Sequence, residues 1–403
     1  MRLLTIEGTI LDKHRQSYGD ALNHAIDDLL SGKDLHLRKE SGENVIPRKA
    51  AWIEAKDFIC CGRCYLMLVQ RMLQQCDLLC AEPTQLAEIV ANLERFEKSV
   101  HGYVAGQKKD KQATPQGKAY AQAKVALLKL FDYDQFGENK ILKFYDYNGQ
   151  HCFEWEKSDD WGAWYFIKAL KAEACAYCNA DGVFSLVLNH DPAKPSRTDV
   201  RVVRKRSPLD HFYGHSKYPC LGLSLYNLVP ACTRCNTNMK GAKEQSLCNH
   251  IHPYVESFDD GLRFFALFKS IATLSLSRLR DDDVTVVLRR HTNADPQFVK
   301  RAMCSSDFFH LEEVYNQIYR RELMDVVRRV LMLPASYRED LKKRYPGIEE
   351  TLVNRMLVGS SCDRSRINSE RLSKLTCDLY EQLHVADLKY MIFSRRREDS
   401  CQW

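Results

Sequence analysis

Two Cys-x-x-Cys pairs, Cys175/Cys178 and Cys232/Cys235, constrain this chain more than any other feature. Two intervening residues let the backbone turn tightly enough for both sulfurs of a pair to face one ion about 2.3 Å away. Two such pairs close a tetrahedral site that leaves no open position, which makes a scaffold rather than a reaction centre. One pair alone is a weak signal, because redox motifs share the spacing. The competing reading is four thiols buried in a core, since free cysteine packs as a small hydrophobe. The second pair lies in Pro230-Ala-Cys-Thr-Arg-Cys-Asn-Thr-Asn238, which is too polar for a core strand. The spacing therefore predicts a structural Zn²⁺ on all four thiolates.

Between the pairs, Val200 to Lys205 alternates apolar and basic residues, so a strand with one packed face is expected, ended by Ser207-Pro208. Leu209-Asp210-His211-Phe212 follows, then a loop with Gly214, Pro219 and Gly222. The apolar run Leu225 to Val229 suits a short buried strand, and a short helix with Asn236 near its N-cap is expected after Cys235. Two strands and a helix, clamped by zinc at the base, would bring Asp210, His211, Asn227 and Asn236 together. A carboxylate, an imidazole and two carboxamides are donors that suit a second, harder divalent ion. Taken singly, an Asp-His pair is ordinarily a surface turn and Asn-Leu-Val-Pro a strand end; only their order beside the knuckles makes them a candidate site.

The set Cys175-Ala-Tyr-Cys-Asn179, Leu209-Asp-His-Phe212, Ser216-Lys-Tyr-Pro219, Asn227-Leu-Val-Pro-Ala-Cys-x-x-Cys-Asn236 with Lys240-Gly241, and His252-Pro-Tyr254 resembles the zinc-ribbon HNH endonucleases. The resemblance spans residues 160–258, Trp161-Gly-Ala-Trp164 included. It implies an α+β fold in which a ββα-metal HNH core, clamped by the four-cysteine zinc site, is embedded in mainly α-helical flanking regions. It also implies hydrolysis of phosphodiester bonds. By the same resemblance His211 is the general base that takes a proton from water, a role suited to an imidazole near neutral pH. Asn227 orients that imidazole or braces the loop presenting it. Asp210 and Asn236 hold one Mg²⁺ or Mn²⁺, a Lewis acid for the phosphate and the leaving 3′-oxygen. Asn236 stands where many relatives have histidine, similar to the His-Asn-Asn arrangement of CRISPR effector HNH domains. A second departure follows Asp-His-Phe, where relatives often place Pro-Lys-Ser and this chain has Gly214-His215-Ser216-Lys217. Either Lys217 takes over the basic contact to phosphate, or His215 is a second proton carrier.

Substrate contacts are expected from Arg204, Lys205 and Arg206, which lead into Asp210, and from Lys217 and Lys240. The competing reading of the first three is a solvated strand edge. The net charge of +6 is mild, so these local clusters alone have to carry any claim on a polyanion. His250 and His252 are expected to pack against the helix after Cys235. The whole layout also resembles the nuclease components of anti-phage systems such as Septu and some retrons, in which an HNH protein works beside an ATPase. No Gly-x-x-x-x-Gly-Lys-Ser/Thr loop occurs here, so a nucleotide switch is expected on a partner. DNA is the expected substrate. RNA such as a tRNA loop is the nearer alternative, and a non-catalytic zinc module binding nucleic acid or a partner is the farther one.

At 403 residues the chain can bury a substantial core. Three regions are expected: a helical one at 1–150, the zinc-ribbon HNH domain at 151–260, and a mainly helical one at 261–403. Sixteen cysteines without a secretory start predict a reducing compartment and a cytoplasmic protein, and no stretch approaches a membrane span. Leu22, Ala25, Ile26, Leu29 and Leu30 share a helical face ending at Gly32, and Leu86 to Val100 repeat at helical spacing after Pro83-Thr84. The polar segment 101–118 reads as a loop. Cys60, Cys61, Cys64, Cys76 and Cys80 read as a buried helix rather than a second zinc site, because Tyr65 to Val69 flank them. After residue 258 helices are expected, with one strand at Val284 to Leu288, one amphipathic helix from Phe308 through Val330, and another carrying Leu372, Leu375, Leu379 and Leu383. Arg395 to Arg397 read as part of a solvated terminal helix.

Overall fold

The computed structural model describes residues 4–38, 51–53, 60–105, 115–188, 203–291, 293–332 and 335–385. The protein is mixed α+β, about 54% helical with small sheets. It forms two compact units, each assembled from separate stretches of chain. One joins Thr5–Leu170 to Ser185–Val229; the other joins Met1–Leu4, Lys171–Phe184 and Pro230–Trp403 and contains all four knuckle cysteines.

In the first of these, α1 (Gly8–Leu30) buries Ile10, His14, Tyr18, Ala21, Leu22, Ala25, Ile26 and Leu29 along one face. Strands β1 (Leu35–Arg38) and β2 (Ala51–Ile53) pair antiparallel. Helices α2 (Cys60–Gln75), α3 (Pro83–Ala105) and α4 (Pro115–Leu130) pack together, with Pro83 and Pro115 each at a helix start, where proline forfeits no internal hydrogen bond. The expected loop at 101–118 is thus helical at both ends, and residues 106–114 lie outside the described chain. One turn of helix, α5 (Tyr133–Gly137), is capped by Asp132, whose side chain accepts from the Asp134 and Gln135 amides. Strands β3 (Lys140–Tyr147) and β4 (Gln150–Lys157) form a hairpin in the register Lys140↔Lys157 to Tyr147↔Gln150. Its two-residue turn is Asn148-Gly149, both at positive φ (55° and 86°), as the primed hairpin turns require. The sheet order is β2-β1-β4-β3, with β1 parallel to β4, and α1 packs on β3. Helix α6 (Ala163–Leu170) covers the antiparallel pair β5 (Ser185–Leu188) and β6 (Val203–Arg206), and the Trp164 indole donates to the Leu186 carbonyl at 3.0 Å. Of the strand expected from Val200, only Val203 onwards is described. Strands β7 (Leu209–His211) and β8 (Leu228–Pro230) pair last.

The second unit carries β9 (Leu262–Phe268) and β10 (Val284–Arg290), antiparallel from Leu262↔Arg290 to Phe268↔Val284. The expectation of a single strand here is corrected: Leu262, Phe264, Ala266 and Phe268 alternate into the core, which is the period of a strand. Helix α7 (Pro296–Phe308) starts on Asp295, whose carboxylate accepts the Phe298 amide at 2.7 Å. The single helix expected from Phe308 to Val330 is broken instead. It comprises a short turn α8 (Leu311–Glu313), a π-helical turn Val314–Ile318 and α9 (Arg320–Met332). Helices α10 (Ala335–Arg344), α11 (Glu350–Val358) and α12 (Ser373–Val385) follow, and α12 packs on β9 and α9. Beneath α12, the fully buried Lys374 ammonium donates to Asp259 (3.0 Å), Asp378 (2.9 Å) and the Leu262 carbonyl (2.8 Å), so that charge is matched where water is excluded. Arg395 to Arg397 lie outside the described residues, and among those described no helix is long and apolar enough to cross a membrane.

Candidate metal centre and catalytic site

The first knuckle is a tight turn between the bridged residues Ala174 and Gly182. The Cys175 amide donates to the Asp181 carbonyl (2.9 Å) and the Asn179 amide to the Cys175 carbonyl (2.9 Å), with Asn179 at φ 56°. The second knuckle leaves β8 and enters a π-helical turn, Arg234–Lys240, where a helix start at Asn236 is expected from sequence; Asn236 lies inside the turn, its amide bonded to the Cys232 carbonyl at 3.0 Å. The four sulfurs of Cys175, Cys178, Cys232 and Cys235 lie within 4.8 Å of one another and all four residues are buried. Cys178 and Cys232 sulfurs are 3.9 Å apart. A tetrahedral site with Zn–S bonds of about 2.3 Å has edges of about 3.8 Å, so the thiols fit a zinc ion. Backbone amides of Cys232 and Cys235 point at the Cys175 and Cys232 sulfurs (3.3 and 3.4 Å), which favours thiolates. Burial raises the Cys175 thiol, but hydrogen bonds from the other three outweigh it and hold this group well below the ordinary range. Hydrogen bonding to Cys175 and Cys178 keeps the proton on Cys232, so full ionisation of the set calls for a cation at its centre.

Around this centre the structure supplies an outer layer. Tyr315 donates to the Cys178 carbonyl at 2.7 Å, and Tyr177 stacks on Phe309 with ring centroids 4.2 Å apart. Arg234, between the two cysteines of the second knuckle, reaches the Tyr319 hydroxyl and Asp181, both at 3.1 Å, while Tyr319 donates to Asp181. Asn179 joins the first knuckle to α12: its amide donates to the Ile367 carbonyl (2.7 Å) and its oxygen accepts the Lys374 amide (3.0 Å). The group of cysteines from Cys60 to Cys80 forms no comparable cluster among the described residues.

The other unit holds Asp210, His211 and Asn227, all buried. Strand β7 presents the first two, and Asn227 immediately precedes β8. The Asn227 side chain accepts the Tyr213 amide (2.7 Å) and donates to the carbonyls of Tyr213 (3.0 Å) and Leu221 (3.1 Å). Its own carbonyl accepts the Phe212 amide at 2.9 Å. Asn227 therefore closes the loop 213–221 on itself. The next residue on that loop, Gly222, offers its carbonyl to His211 Nε2 at 3.0 Å. A carbonyl only accepts, so Nε2 is the nitrogen that carries hydrogen in this contact. Two further neighbours stand beside His211: Tyr133, which sequence reasoning missed, and His215, expected there only as an alternative proton carrier. Tyr133 meets the His211 ring edge-on at 4.5 Å and donates its hydroxyl to the Leu209 carbonyl (3.1 Å), and His215 lies 4.4 Å from His211, centroid to centroid. Tyr133 comes from a segment with no motif; only its aromatic character marks it.

The basic residues divide. Arg204 is stacked over Trp164 (5.7 Å) and Tyr165 (5.1 Å) and paired with Asp159 at 3.4 Å. Arg206 lies over Tyr133 (5.8 Å) and donates to the Ser207 carbonyl, and Lys217 is paired with Glu94 at 3.4 Å. Lys205 is exposed. Lys240, in the other unit, is buried, where with the dominant effect of burial it holds His252 neutral, its pKa lowered to about 3. Asn236 is half-buried and belongs to the cysteine unit. Comparison of the chain with protein-family models, with curated proteins and with solved structures returns no match.

Proposed function

We propose that the protein is a divalent-metal-dependent HNH endonuclease that hydrolyses phosphodiester bonds in DNA. One observation carries the reading: His211, next in sequence to the buried Asp210 on β7, is held at Nε2 by the Gly222 carbonyl, which follows a loop that the buried Asn227 closes. That contact puts the hydrogen of the neutral ring on Nε2, so Nδ1 would be the atom that removes a proton from water, the part of a general base. Asp210 supplies the hard oxygen through which a Mg²⁺ or Mn²⁺ would be held. Bound there, such an ion lends Lewis acidity to the phosphate and the leaving oxygen. The four-thiolate site carries no open position and serves the scaffold alone. A role in defence against phage, beside an ATPase, is proposed on the sequence resemblance only.

The test is cleavage of plasmid DNA with Mg²⁺ or Mn²⁺, comparing the wild type with His211→Ala at matched zinc content. Nicked or linear product from the wild type, lost by at least about a hundredfold in the variant, is expected for removal of a general base. Equal cleavage by both proteins would remove His211 from the mechanism. Cleavage of RNA but not DNA would transfer the reading to that substrate, and cleavage only after adding an ATPase encoded beside the protein would support the partner. No cleavage of either polymer, with or without the ATPase, would leave the non-catalytic zinc module.

A further inference from the structure

The unit that contains the four knuckle cysteines holds another pair of thiols in contact. Cys377 lies on α12 and is 1% exposed, and Cys362 is half-buried in the turn between α11 and the 3₁₀ segment Arg364–Ser369. A hydrogen bond joins their side chains. The bonds on either side of Cys362 place it there independently. The Ser360 hydroxyl and the Ser361 amide both donate to the Glu370 carboxylate (2.9 and 3.0 Å), and the Ser361 carbonyl accepts from Asn354 (2.9 Å). Two residues after Cys362, Arg364 donates to Asp378 (3.0 Å) and to Glu381 (2.9 and 2.6 Å). Asp378 adjoins Cys377 in the chain and Glu381 lies one helical turn beyond it, so the turn meets α12 on the side that carries Cys377. Cys362 also sits at φ 51°, a left-handed conformation that glycine adopts freely and a side chain disfavours. The position therefore carries its thiol against the preference of its backbone.

We propose that Cys362 and Cys377 are a redox-active pair, a modification site at which hydrogen peroxide converts two thiols into one intramolecular disulfide. Hydrogen bonding with Cys362, and secondarily burial, hold the Cys377 thiol above the ordinary range, so Cys377 keeps its hydrogen and donates it. Cys362 accepts, and it is the more accessible of the two, so its sulfur meets the oxidant first. As the thiolate it attacks one peroxide oxygen; the O–O bond breaks, hydroxide leaves and Cys362 becomes a sulfenic acid. The Cys377 sulfur then attacks Cys362. The S–S bond forms, the S–O bond breaks, and the departing hydroxyl takes the Cys377 proton and leaves as water. Two thiols give up two electrons and two protons, and one peroxide becomes two waters. Thiols already in contact need only small side-chain rotations to reach the bonding distance of about 2.0 Å. Cys80 and Cys220 contrast with this pair: both are buried, and desolvation foremost pushes each thiol up to about 12, which makes an inert sulfur. The disulfide would fasten α12 to the turn leading into Ile367 and Glu370, whose carbonyls accept from Asn179 of the first knuckle (2.7 and 3.3 Å). Oxidation thus stiffens the support of the cysteine centre, whatever reaction the protein catalyses.

The experiment treats the full-length, zinc-loaded protein with increasing hydrogen peroxide, blocks the remaining thiols with N-ethylmaleimide and maps every cysteine by peptide mass spectrometry. Cys362 and Cys377 are expected to lose their alkylatable thiols together and to appear as one cross-linked species, lighter by two hydrogens, that dithiothreitol reverses. Cys377→Ser should leave Cys362 as a sulfenic acid that dimedone traps, and Cys362→Ser should leave Cys377 reduced at the same peroxide concentration. The wild-type map decides the matter even where a variant fails to fold. Three results would overturn the pair: both thiols still alkylatable at peroxide concentrations that oxidise the knuckle cysteines, Cys362 carried on to a sulfinic acid while Cys377 stays reduced, or either sulfur bridged to a different cysteine.

Discussion

Gly222 shows how a site can depend on a residue with no side chain. A Cβ added there would fall 2.4 Å from the Phe131 carbonyl oxygen and 3.2 Å from that of Pro219, so the backbone itself must move to admit an alanine. The atom that moves with it is the carbonyl that fixes His211 Nε2. Gly222→Ala is therefore expected to cost about 1–3 kcal/mol of stability, the range for overpacking, and to reduce cleavage at least about tenfold through a misplaced imidazole. Urea unfolding and plasmid nicking measured on one preparation decide this; full activity with a lowered midpoint would show that the Gly222 carbonyl does not position the ring. None of this is legible in the sequence. Asp210, His211 and Asn227 stand out by residue type and spacing, but an anchor made of a backbone carbonyl has no letter of its own. Tyr133 and His215 touch His211 only because the fold returns a distant helix and a turn to β7.

At the scale of elements, local signals transmit well and tertiary ones poorly. The apolar face of α1, the helix after Pro83 and the strand β10 follow from periodicity within one segment. The β3–β4 hairpin carries an equally local signal in Asn148-Gly149 between β-rich runs. The π-helical turns at Arg234–Lys240 and Val314–Ile318 have no such signal. Both adjoin the cysteine centre: the first contains Cys235, and the second places Tyr315 on the Cys178 carbonyl. An extra residue in a helical turn suits a demand imposed from outside that segment, and this one is found where a tetrahedral site would impose it. The first knuckle also holds the turn before α12 through Asn179, Ile367 and Ser373. Stripping the metal with a chelator is accordingly expected to raise amide exchange in residues 311–319 and 366–376, because their anchors, the Cys178 carbonyl and the Asn179 side chain, belong to the knuckle. Hydrogen exchange with and without zinc measures it. Unchanged protection of both segments in metal-free protein would mean that packing alone orders them.

Each compact unit buries a histidine that must stay neutral, and this sets how the whole molecule answers acid. His14 accepts the Trp161 indole hydrogen at Nδ1 (3.2 Å) and donates from Nε2 to the Leu223 carbonyl (2.6 Å), and burial lowers its pKa from 6.5 to about 3. His252 in the cysteine unit is lowered to about 3 by burial and, secondarily, by Lys240. In the unfolded chain both rings take up protons as pH falls through about 6.5, whereas the folded rings do not until about 3. The unfolded state therefore binds more protons throughout that window, so stability is greatest above about pH 6.5 and falls steadily below it. At pH 5, 1.5 units below the unfolded value, each ring lowers stability by about 2 kcal/mol relative to neutral pH. Asp259 acts later: burial raises its pKa, but Lys374, Arg364 and Arg263 outweigh that and depress it, so its contribution is lost only as the pH falls below the ordinary carboxylate range. His14→Leu separates the effects. It leaves the Leu223 carbonyl and the Trp161 indole without their partner, so it is less stable at pH 7, yet it removes one proton from the acid slope between pH 6.5 and 5. Urea unfolding followed across that range should show the slope for the unit containing His14 reduced by about 1 kcal/mol per pH unit on average. A slope equal to that of the wild type would mean that His14 titrates in the folded protein, and that the ring is not locked between Trp161 and Leu223.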